Sequence, residues 1–292
     1  AGPGLDFYRL LQCAQGTMGI VTWMSLKIQS IPKIDKIKFA ALDDINDGIN
    51  FLYRILPRRI GQECLILNDT DLAALITDTK EEFEAVKKML PPYTLMFTIS
   101  GLIRRPEEKI AYEEHFLADV CKNEFTKIKL TDALPGHPGA AGKLIKILRS
   151  AWPETSNYWK NIPAGAYQDL FFITKPEKTK MFIDAMKDIC GKHSYEFDKL
   201  GIYQQPIEHN RACQLQFSFF YDPAEAAAVE EVKAIYDAAF EKMLELGGYF
   251  TRPYGNMAER LYERAGSYTA ALKKVKALFD PENIMNPGNL CF

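Results

Sequence analysis

The residues with the most chemistry to offer follow a late pair of glycines. In Gly247-Gly248-Tyr249-Phe250-Thr251-Arg252-Pro253-Tyr254-Gly255 the glycines are expected to end a helix, Tyr249 to Thr251 to form a short strand, and Pro253 to break it. Arg252 carries a permanent charge on a fork of donors that suits a carboxylate or phenolate, and Tyr254 adds a hydroxyl two residues on. Sheet proteins often build sites from residues fixed at a strand end, although a solvated arginine and a helix-capping tyrosine would read the same way.

Two further groups stand on expected strands. His209, Asn210 and Arg211 open a segment in which Gln214 and Gln216 alternate with apolar neighbours, so both glutamines line one face, toward solvent or toward a substrate cleft. His209 is a candidate ligand or base there, and Arg211 and Gln214 are candidate substrate contacts. Tyr167 and Asp169 share one side of their own strand. The four histidines, His115, His137, His193 and His209, have no HxH or HxxxH spacing, and no metal site is expected. The stretch from Gly136 to Lys143 looks like a phosphate loop, but His137 stands where the first Gly belongs and Leu144 where Ser or Thr would reach Mg²⁺.

The chain is bracketed by two turn-rich stretches. Near the start, Gly16-Thr17-Met18-Gly19-Ile20-Val21-Thr22 runs into Trp23 to Ile28 and closes at Ile31-Pro32, which predicts a glycine turn feeding a long strand. Two glycines three apart let a backbone approach something flat or charged. At the other end Leu272, Val275, Leu278 and Phe279 have helical spacing, and Asp280-Pro281 stops the helix. Ile284 and Met285 then read as a small apolar plug before the Asn286-Pro287-Gly288 turn, as in a tail docked on something specific.

The elements between these ends repeat one order. Strands are expected over Lys36–Leu42, Glu63–Asn68, Tyr93–Ser100, Thr126–Leu130, Gln168–Thr174, Leu200–Gln205, Ala212–Tyr221 and Tyr249–Thr251. Helices are expected over Phe7–Gln12, Asp44–Leu56, Pro106–Lys122, Pro176–His193 and Pro223–Leu246, the last with Asp222 as cap, Glu225 at cap-box spacing and Gly247 as stop. Strand, helix, strand four times over predicts an α+β, ferredoxin-like layer with helices on one face of a largely antiparallel sheet. Gly2 to Asp6 reads as a loop and Leu134 to Gly142 as a long crossover loop. The charged runs Lys80–Lys88 and Pro106–Glu114 read as solvated helix faces.

A chain of 292 residues with 47% hydrophobic content can fill one large domain or two moderate ones. A net charge of −2 and dispersed Lys and Arg argue against a nucleic-acid partner. No apolar run approaches the roughly 18 residues of a spanning helix, and no signal peptide is visible, so a soluble, cytoplasmic protein without a membrane partner is expected. Six scattered cysteines without a CxxC pair predict free thiols in a reducing compartment. Ala1 in place of Met predicts a fragment or a processed piece.

Taken as a pair, the stretches Gly16–Thr22 and Phe279–Gly288 resemble the signatures of the FAD-linked oxidases, the superfamily of vanillyl-alcohol oxidase, p-cresol methylhydroxylase, glycolate oxidase and D-lactate dehydrogenase. The resemblance covers the second half of such an enzyme. It implies that residues 1–34 are a remnant of the FAD-binding domain, 35–252 the substrate (cap) domain, and 253–292 a helical tail returning to the FAD-binding domain. It also implies a substrate-binding half of a flavin-dependent oxidoreductase, moving a hydride from an alcohol, hydroxy acid or para-alkylphenol to FAD. Gly16, Gly19, Ile20, Thr22, Asn286 and Gly288 would then be cofactor-binding.

In the phenol-oxidising branch a Tyr-Arg pair binds the phenolate. Arg252 matches its Arg, Thr251 replaces its Tyr, and Tyr254 is expected to compensate. Asp169 stands nearest the position from which some members link FAD covalently, with Tyr167 two before it and no His, which favours non-covalent flavin. A Gly-Glu-His-Gly segment, typical of the hydroxy-acid branch, is absent. The alternatives are a D-2-hydroxy-acid dehydrogenase subunit, or a non-catalytic assembly subunit of a split flavoenzyme. Expected partners are a small-molecule substrate and the FAD-binding domain or a separate FAD subunit, with an electron-transfer partner and a homodimer left open.

Overall fold

The structure is a computed structural model that describes residues 6–28, 30–134, 136–152 and 157–292. Of the loop expected over Gly2 to Asp6, only Asp6 lies within the described residues. Two compact units emerge: Ser30–Tyr249, and the paired segments Ala1–Gln29 and Phe250–Phe292. Chain order begins in the smaller unit with α1 (Tyr8–Leu11).

The larger unit continues with β1 (Ile34–Leu42), α2 (Ile45–Ile55), β2 (Cys64–Asn68), α3 (Asp69–Ile76), α4 (Lys80–Lys87), β3 (Tyr93–Gly101) and α5 (Pro106–Asn123). It then runs through α6 (Ala140–Arg149), β4 (Ala166–Thr174), α7 (Thr179–Lys192), β5 (Gly201–Ile207), β6 (Ala212–Tyr221) and α8 (Ala226–Glu245). The strands form one sheet in the order β1-β3-β2-β5-β6-β4, with every neighbouring pair antiparallel. The α+β class with a largely antiparallel sheet therefore holds.

Register explains which residues meet. One row crosses all six strands as Ala40, Leu95, Ile66, Gln204, Leu215 and Phe172, and every member is buried. Residues opposite one another in a ladder share a face, so this row marks a side of the sheet that helices cover from edge to edge. Phe51 of α2 packs on Phe97 of β3 with ring centroids 6.1 Å apart, and Phe182 of α7 packs on Phe172 of β4 at 4.8 Å. Helix α2 comes so near the sheet that a Cβ at Gly48 would stand 2.6 Å from Leu42 Cδ1 and 2.9 Å from Ile66 Cδ1, so a larger residue would have to move those methyl ends. The helix starts because Asp44 accepts from the Asn46 amide at 2.9 Å, and its buried stripe Ile45, Ile49, Leu52, Ile55 follows the helical period.

The reverse face is covered over part of its width. Ile37, Phe39, Leu65, Leu67 and Met96 form a second core there with Leu72, Leu75, Phe83, Val86 and Leu144 of α3, α4 and α6. Short helices thus add a layer on this side to the helices expected on the first. Fully burying a side chain of this size is worth about 1.5–3 kcal/mol, so the second core is a substantial part of what fixes the β1-β3-β2 side.

Several expected elements differ. Thr126–Leu130 is no strand: Thr131 alone exchanges backbone bonds with Phe39, both 2.9 Å, before its side chain turns the chain toward Ala133. Tyr249 likewise bridges only Ile173, and Thr251 and Arg252 form a bend before the buried Pro253. The helix expected from Pro223 starts at Ala226, because Asp222 Oδ1 accepts the Ala224 amide at 2.9 Å and closes a turn first, while Glu225 occupies the cap position without a side-chain bond. The loop expected to reach Gly142 ends at Gly139, where Ala140 and Leu144, four apart, bury together and begin α6.

The smaller unit contains α9 (Asn256–Arg264) and α10 (Gly266–Phe279). Helix α10 stops at Asp280-Pro281, where the sequence predicts it. Residues 19–28 form no strand, because no partner strand lies beside them among the described residues.

Candidate functional site

On the reverse face, the row beginning at Leu67 passes out from under the helices. Leu67 pairs with Tyr203, Tyr203 with Gln216, and Gln216 with Phe171; Leu67 is fully buried, and the other three are half-buried. The neighbouring row holds Gln205, Gln214 and Ile173, the first exposed and the others half-buried. Tyr203 Oη donates to Gln205 Oε1 at 2.8 Å. The β5-β6-β4 side therefore presents a floor of amides and rings, because polar residues at period two were placed on strands whose other face is core.

The opposite border of this floor is a buried polar cluster. The row Gly201, Ser218, Asp169 runs into Lys160, which sits in the 3-10 turn Trp159–Asn161 and is 4% exposed. Lys160 Nζ donates to Asp169 Oδ2 at 2.6 Å and to Ser218 Oγ at 3.2 Å, and Ser218 Oγ donates to Asp169 Oδ1 at 2.8 Å. Gln216 Nε2 reaches the same Ser218 Oγ at 3.4 Å, linking cluster to floor. The ammonium lies 5.2 Å from the ring centroids of both Trp159 and Tyr167, a cation–π setting in a poorly hydrated place. The Asp169 side chain keeps 22% of its surface exposed and stands one row from Phe171 and Gln216 on the same face.

Asp71, the third residue of α3, is fully buried, and neither carboxyl oxygen has a hydrogen-bond partner among the described residues. Gly201 makes room for it: a Cβ there would stand 2.1 Å from Asp71 Oδ1. Burial pushes the Asp71 carboxyl up to about 7, with the Lys160 charge opposing and Asp169 and Asp69 adding. A carboxyl raised in the folded state favours its proton. Its contribution to stability is full below the unfolded range near 4 and is lost as pH rises through about 7.

In the smaller unit the two bracketing stretches meet. Lys276 Nζ donates to Thr17 O at 2.5 Å, to Asp280 Oδ2 at 2.5 Å and to Met285 O at 3.1 Å. Asp280 in turn accepts the amides of Ile284 and Met285 at 3.0 and 2.8 Å. Asn286 Nδ2 donates to Gln15 O at 2.5 Å, and Gln15 Nε2 donates to Pro253 O at 3.2 Å. Lys276 holds the Asp280 carboxyl below the usual carboxylate range, burial opposes, and the two amides assist. Ile284, expected as part of a plug, is 78% exposed; Asp280, not an apolar contact, anchors that turn.

The remaining candidates fall as follows. Tyr167 and Asp169 share a face of the sheet with Gln214 and Gln216, but only Asp169 and Gln216 stand in neighbouring rows; Tyr167 pairs with Phe220, and Gln214 pairs with Ile173 six residues further along β4, so the structure does not bring all four together. His209 and Arg211 do not open β6. They lie exposed in the hairpin turn before it, where Glu208, His209 and Asn210 have φ of 49°, 57° and 69° and Asn210 is anchored on Ile49 O at 3.3 Å. Arg252 and Tyr254 are exposed in the smaller unit, beside Gly255 with φ 51°. Gly16 and Gly288 have φ of 77° and 81°, and Gly19 is half-buried while Ile20 and Thr22 are exposed. Thr17 is fully buried, with its hydroxyl on Ala14 O at 2.7 Å.

Sequence reasoning passed over Lys160, Ser218 and Asp71. The one available signal was Asp71 three residues after Asn68, a cap-box spacing. That spacing is filled instead by Asn68 Oδ1 accepting the Asp71 amide at 3.1 Å, which leaves the Asp71 side chain over.

A six-stranded antiparallel sheet with one helix-covered face and one partly open, polar-aromatic face defines an α+β domain built to present a floor. The chain belongs to the FAD-linked oxidases, matching the family description "FAD linked oxidases, C-terminal domain" over residues 32–290. It is 25% identical over 294 residues to glycolate oxidase subunit GlcD of Bacillus subtilis (strain 168), covering 98% of this chain and 57% of that protein. It is 21% identical to mitochondrial D-lactate dehydrogenase (cytochrome) 1 of Saccharomyces cerevisiae, covering 99% of this chain and 47% of that protein. The chain thus spans roughly half the length of these relatives. The fold matches a crystal structure of p-cresol methylhydroxylase with substrate bound, at TM-score 0.73 and 16% identity, covering 100% of this chain and 58% of that one. Among the described residues no helix is long and apolar enough to cross a membrane, and no group of three or more His, Cys, Asp or Glu could hold a metal ion.

Proposed function

We propose that this chain is the substrate-binding half of a flavin-dependent oxidoreductase, in which a hydride passes from an alcohol, hydroxy acid or para-alkylphenol carbon to FAD. The observation that carries the reading is the open floor of Tyr203, Gln205, Gln214, Gln216 and Phe171 on a domain of this family. When bound, FAD supplies the two-electron acceptor; this chain supplies orientation and exclusion of water. Residues 1–34 and 253–292 would belong with the FAD-binding domain and 35–252 would form the substrate domain.

The residues present fit a flat, partly apolar cofactor. A Cβ at Gly288 would meet nothing within 4 Å, Ile20 is 80% exposed, and the 19–28 backbone has no ladder partner among the described residues. Backbone at Gly16, Gly19, Ile20, Thr22, Asn286 and Gly288 would lie along the flavin. Tyr167 and Asp169 keep the cofactor-binding role that the family resemblance implies, without a covalent link. Arg252, with Tyr254, would hold an anionic substrate group such as a phenolate through charge-assisted bonds. In the larger unit Gln214 would be a substrate contact. His209 and Arg211 would act at the rim.

A D-2-hydroxy-acid dehydrogenase subunit is the second reading, favoured by what the two relatives above are named for. Anaerobic addition of p-cresol and of D-lactate to the flavin-loaded enzyme separates the two. Bleaching by p-cresol is expected; bleaching by D-lactate alone would narrow the donor to a hydroxy acid, which is the second reading, and bleaching by no alcohol, hydroxy acid or alkylphenol would refute both. Arg252→Ala is expected to raise KM at least tenfold, and an unchanged KM and kcat would remove Arg252 from the site.

A further inference from the structure

The cluster beside the floor holds more carboxyl than it uses. Lys160 serves Asp169 and Ser218, and both Asp169 oxygens are engaged on the cluster side. Each carboxylate oxygen can accept more than one bond, so an Asp169 that keeps 22% of its side-chain surface exposed can still receive a donor from the floor. The floor beside it offers rings and amides from Phe171, Tyr203, Gln205, Gln214 and Gln216, and no cationic side chain stands among these rows. Asp71 lies one strand further along the same row, over Gly201.

That charge arrangement discriminates among ligands. With Lys160 already paired to Asp169, a second anion on the floor would meet a carboxylate and no free cation, whereas a neutral hydroxyl would meet an acceptor fixed in place. We propose that Asp169 is the hydrogen-bond acceptor for a neutral hydroxyl of the substrate on the open floor, and that Lys160 is the positioning residue which fixes its carboxylate, while Asp71, which makes no bond to it, acts only on the local charge. This rests on the flavoenzyme reading and deepens it: the part of the substrate over the sheet is a neutral, hydroxylated, aromatic-compatible group, not a carboxylate.

Asp71 gives the arrangement a pH dependence of stated sign. The groups facing it are Asp69 on its own helix, Lys160 and Tyr158 from the segment around the 3-10 turn, Asp169 on β4 and Tyr203 on β5; Lys87 and Asp198 act on Asp69 in turn. As pH rises through about 7, Asp71 adds a negative charge beside Lys160 and Asp169. Rejection of anions should therefore sharpen as pH rises.

The test is calorimetric titration of the purified, flavin-loaded protein with 4-hydroxybenzyl alcohol and with 4-hydroxymandelate, which differ by one carboxylate, at pH 6 and pH 8. Wild type should bind the alcohol more tightly, with a wider margin at pH 8. Asp169→Asn should lose between about ten- and a hundred-fold in affinity for the alcohol, the worth of one bond to a charged acceptor, and should narrow the margin over the acid. Asp71→Asn should bind the alcohol as wild type does and lose the change in margin between the two pH values, a readout that a merely structural role would not move. A folded Asp169→Asn protein that binds both probes as wild type does, or an unchanged pH response in Asp71→Asn, would overturn the proposal. Flavin bleaching is scored separately: its absence with every substrate, alongside a preserved binding contrast, would remove the flavoenzyme reading and leave the Asp169 assignment standing.

Discussion

Two buried lysines sit in similar company with opposite accounts. Lys276, 4% exposed, gives its three protons to Thr17, Asp280 and Met285, and each Asp280 oxygen is met in return. Lys160, equally buried, meets one carboxylate and one hydroxyl, while a second carboxyl, Asp71, goes without any hydrogen bond among the described residues. Burying an ion is tolerated when its bonds are complete, so the first cluster reads as a staple joining the two ends of its unit. An unmatched buried carboxyl costs stability and is retained next to the open part of the sheet, which points to use and not to architecture. The two clusters also respond to pH with opposite sign. Asp280, depressed by Lys276, contributes stability that is present above the unfolded carboxyl range and lost as pH falls through its folded value; Asp71 contributes stability that is lost as pH rises toward about 7.

The comparison can be broken most forcefully at the staple. Lys276→Met removes the ammonium that serves three acceptors, and limited proteolysis should then cut the 250–292 segment at protease levels that leave wild type intact; equal resistance would demote Lys276 to an ordinary core residue. Lys160→Met should cost about 3 kcal/mol in urea unfolding, the lower edge for a broken buried pair because Asp169 retains some solvent. Asp71→Asn should flatten the decline of stability between about pH 4 and pH 8, worth on the order of 3 kcal/mol in wild type. Parallel slopes in the two proteins would mean that Asp71 does not carry the buried proton. Gly201→Ala, whose methyl must displace the Asp71 carboxyl, should cost about 1–3 kcal/mol, and the loss should shrink in an Asp71→Ala background.

Much of the frame was legible in sequence because period and punctuation agreed. Strand β6 was read at its observed limits, since Leu215, Phe217 and Phe219 alternate with polar residues and all three are buried. Helix α10 was read to its end because Asp280-Pro281 admits no other outcome. Trp23 to Ile28 shows the limit: a β-rich composition states a propensity, and a strand needs a neighbour to pair with. The floor was half-visible, as Gln214 with Gln216 and Tyr167 with Asp169, because period two survives in sequence. Which strands adjoin does not, since β4 lies beside β6 and not beside β5. Lys160 was invisible because a lone lysine between Trp159 and Asn161 has no period, and its meaning comes from Asp169 and Ser218 arriving on two other segments.

The central claim is that the open side of the sheet is where substrate rests, and Gln216 lies in its middle row. The most direct measurement is steady-state kinetics of Gln216→Ala with whichever substrate bleaches the flavin fastest, alongside its urea midpoint. We expect stability within about 0.5 kcal/mol of wild type, as for a half-buried polar side chain outside the core, and a KM at least fivefold higher. Unchanged stability together with unchanged KM and kcat would contradict the account.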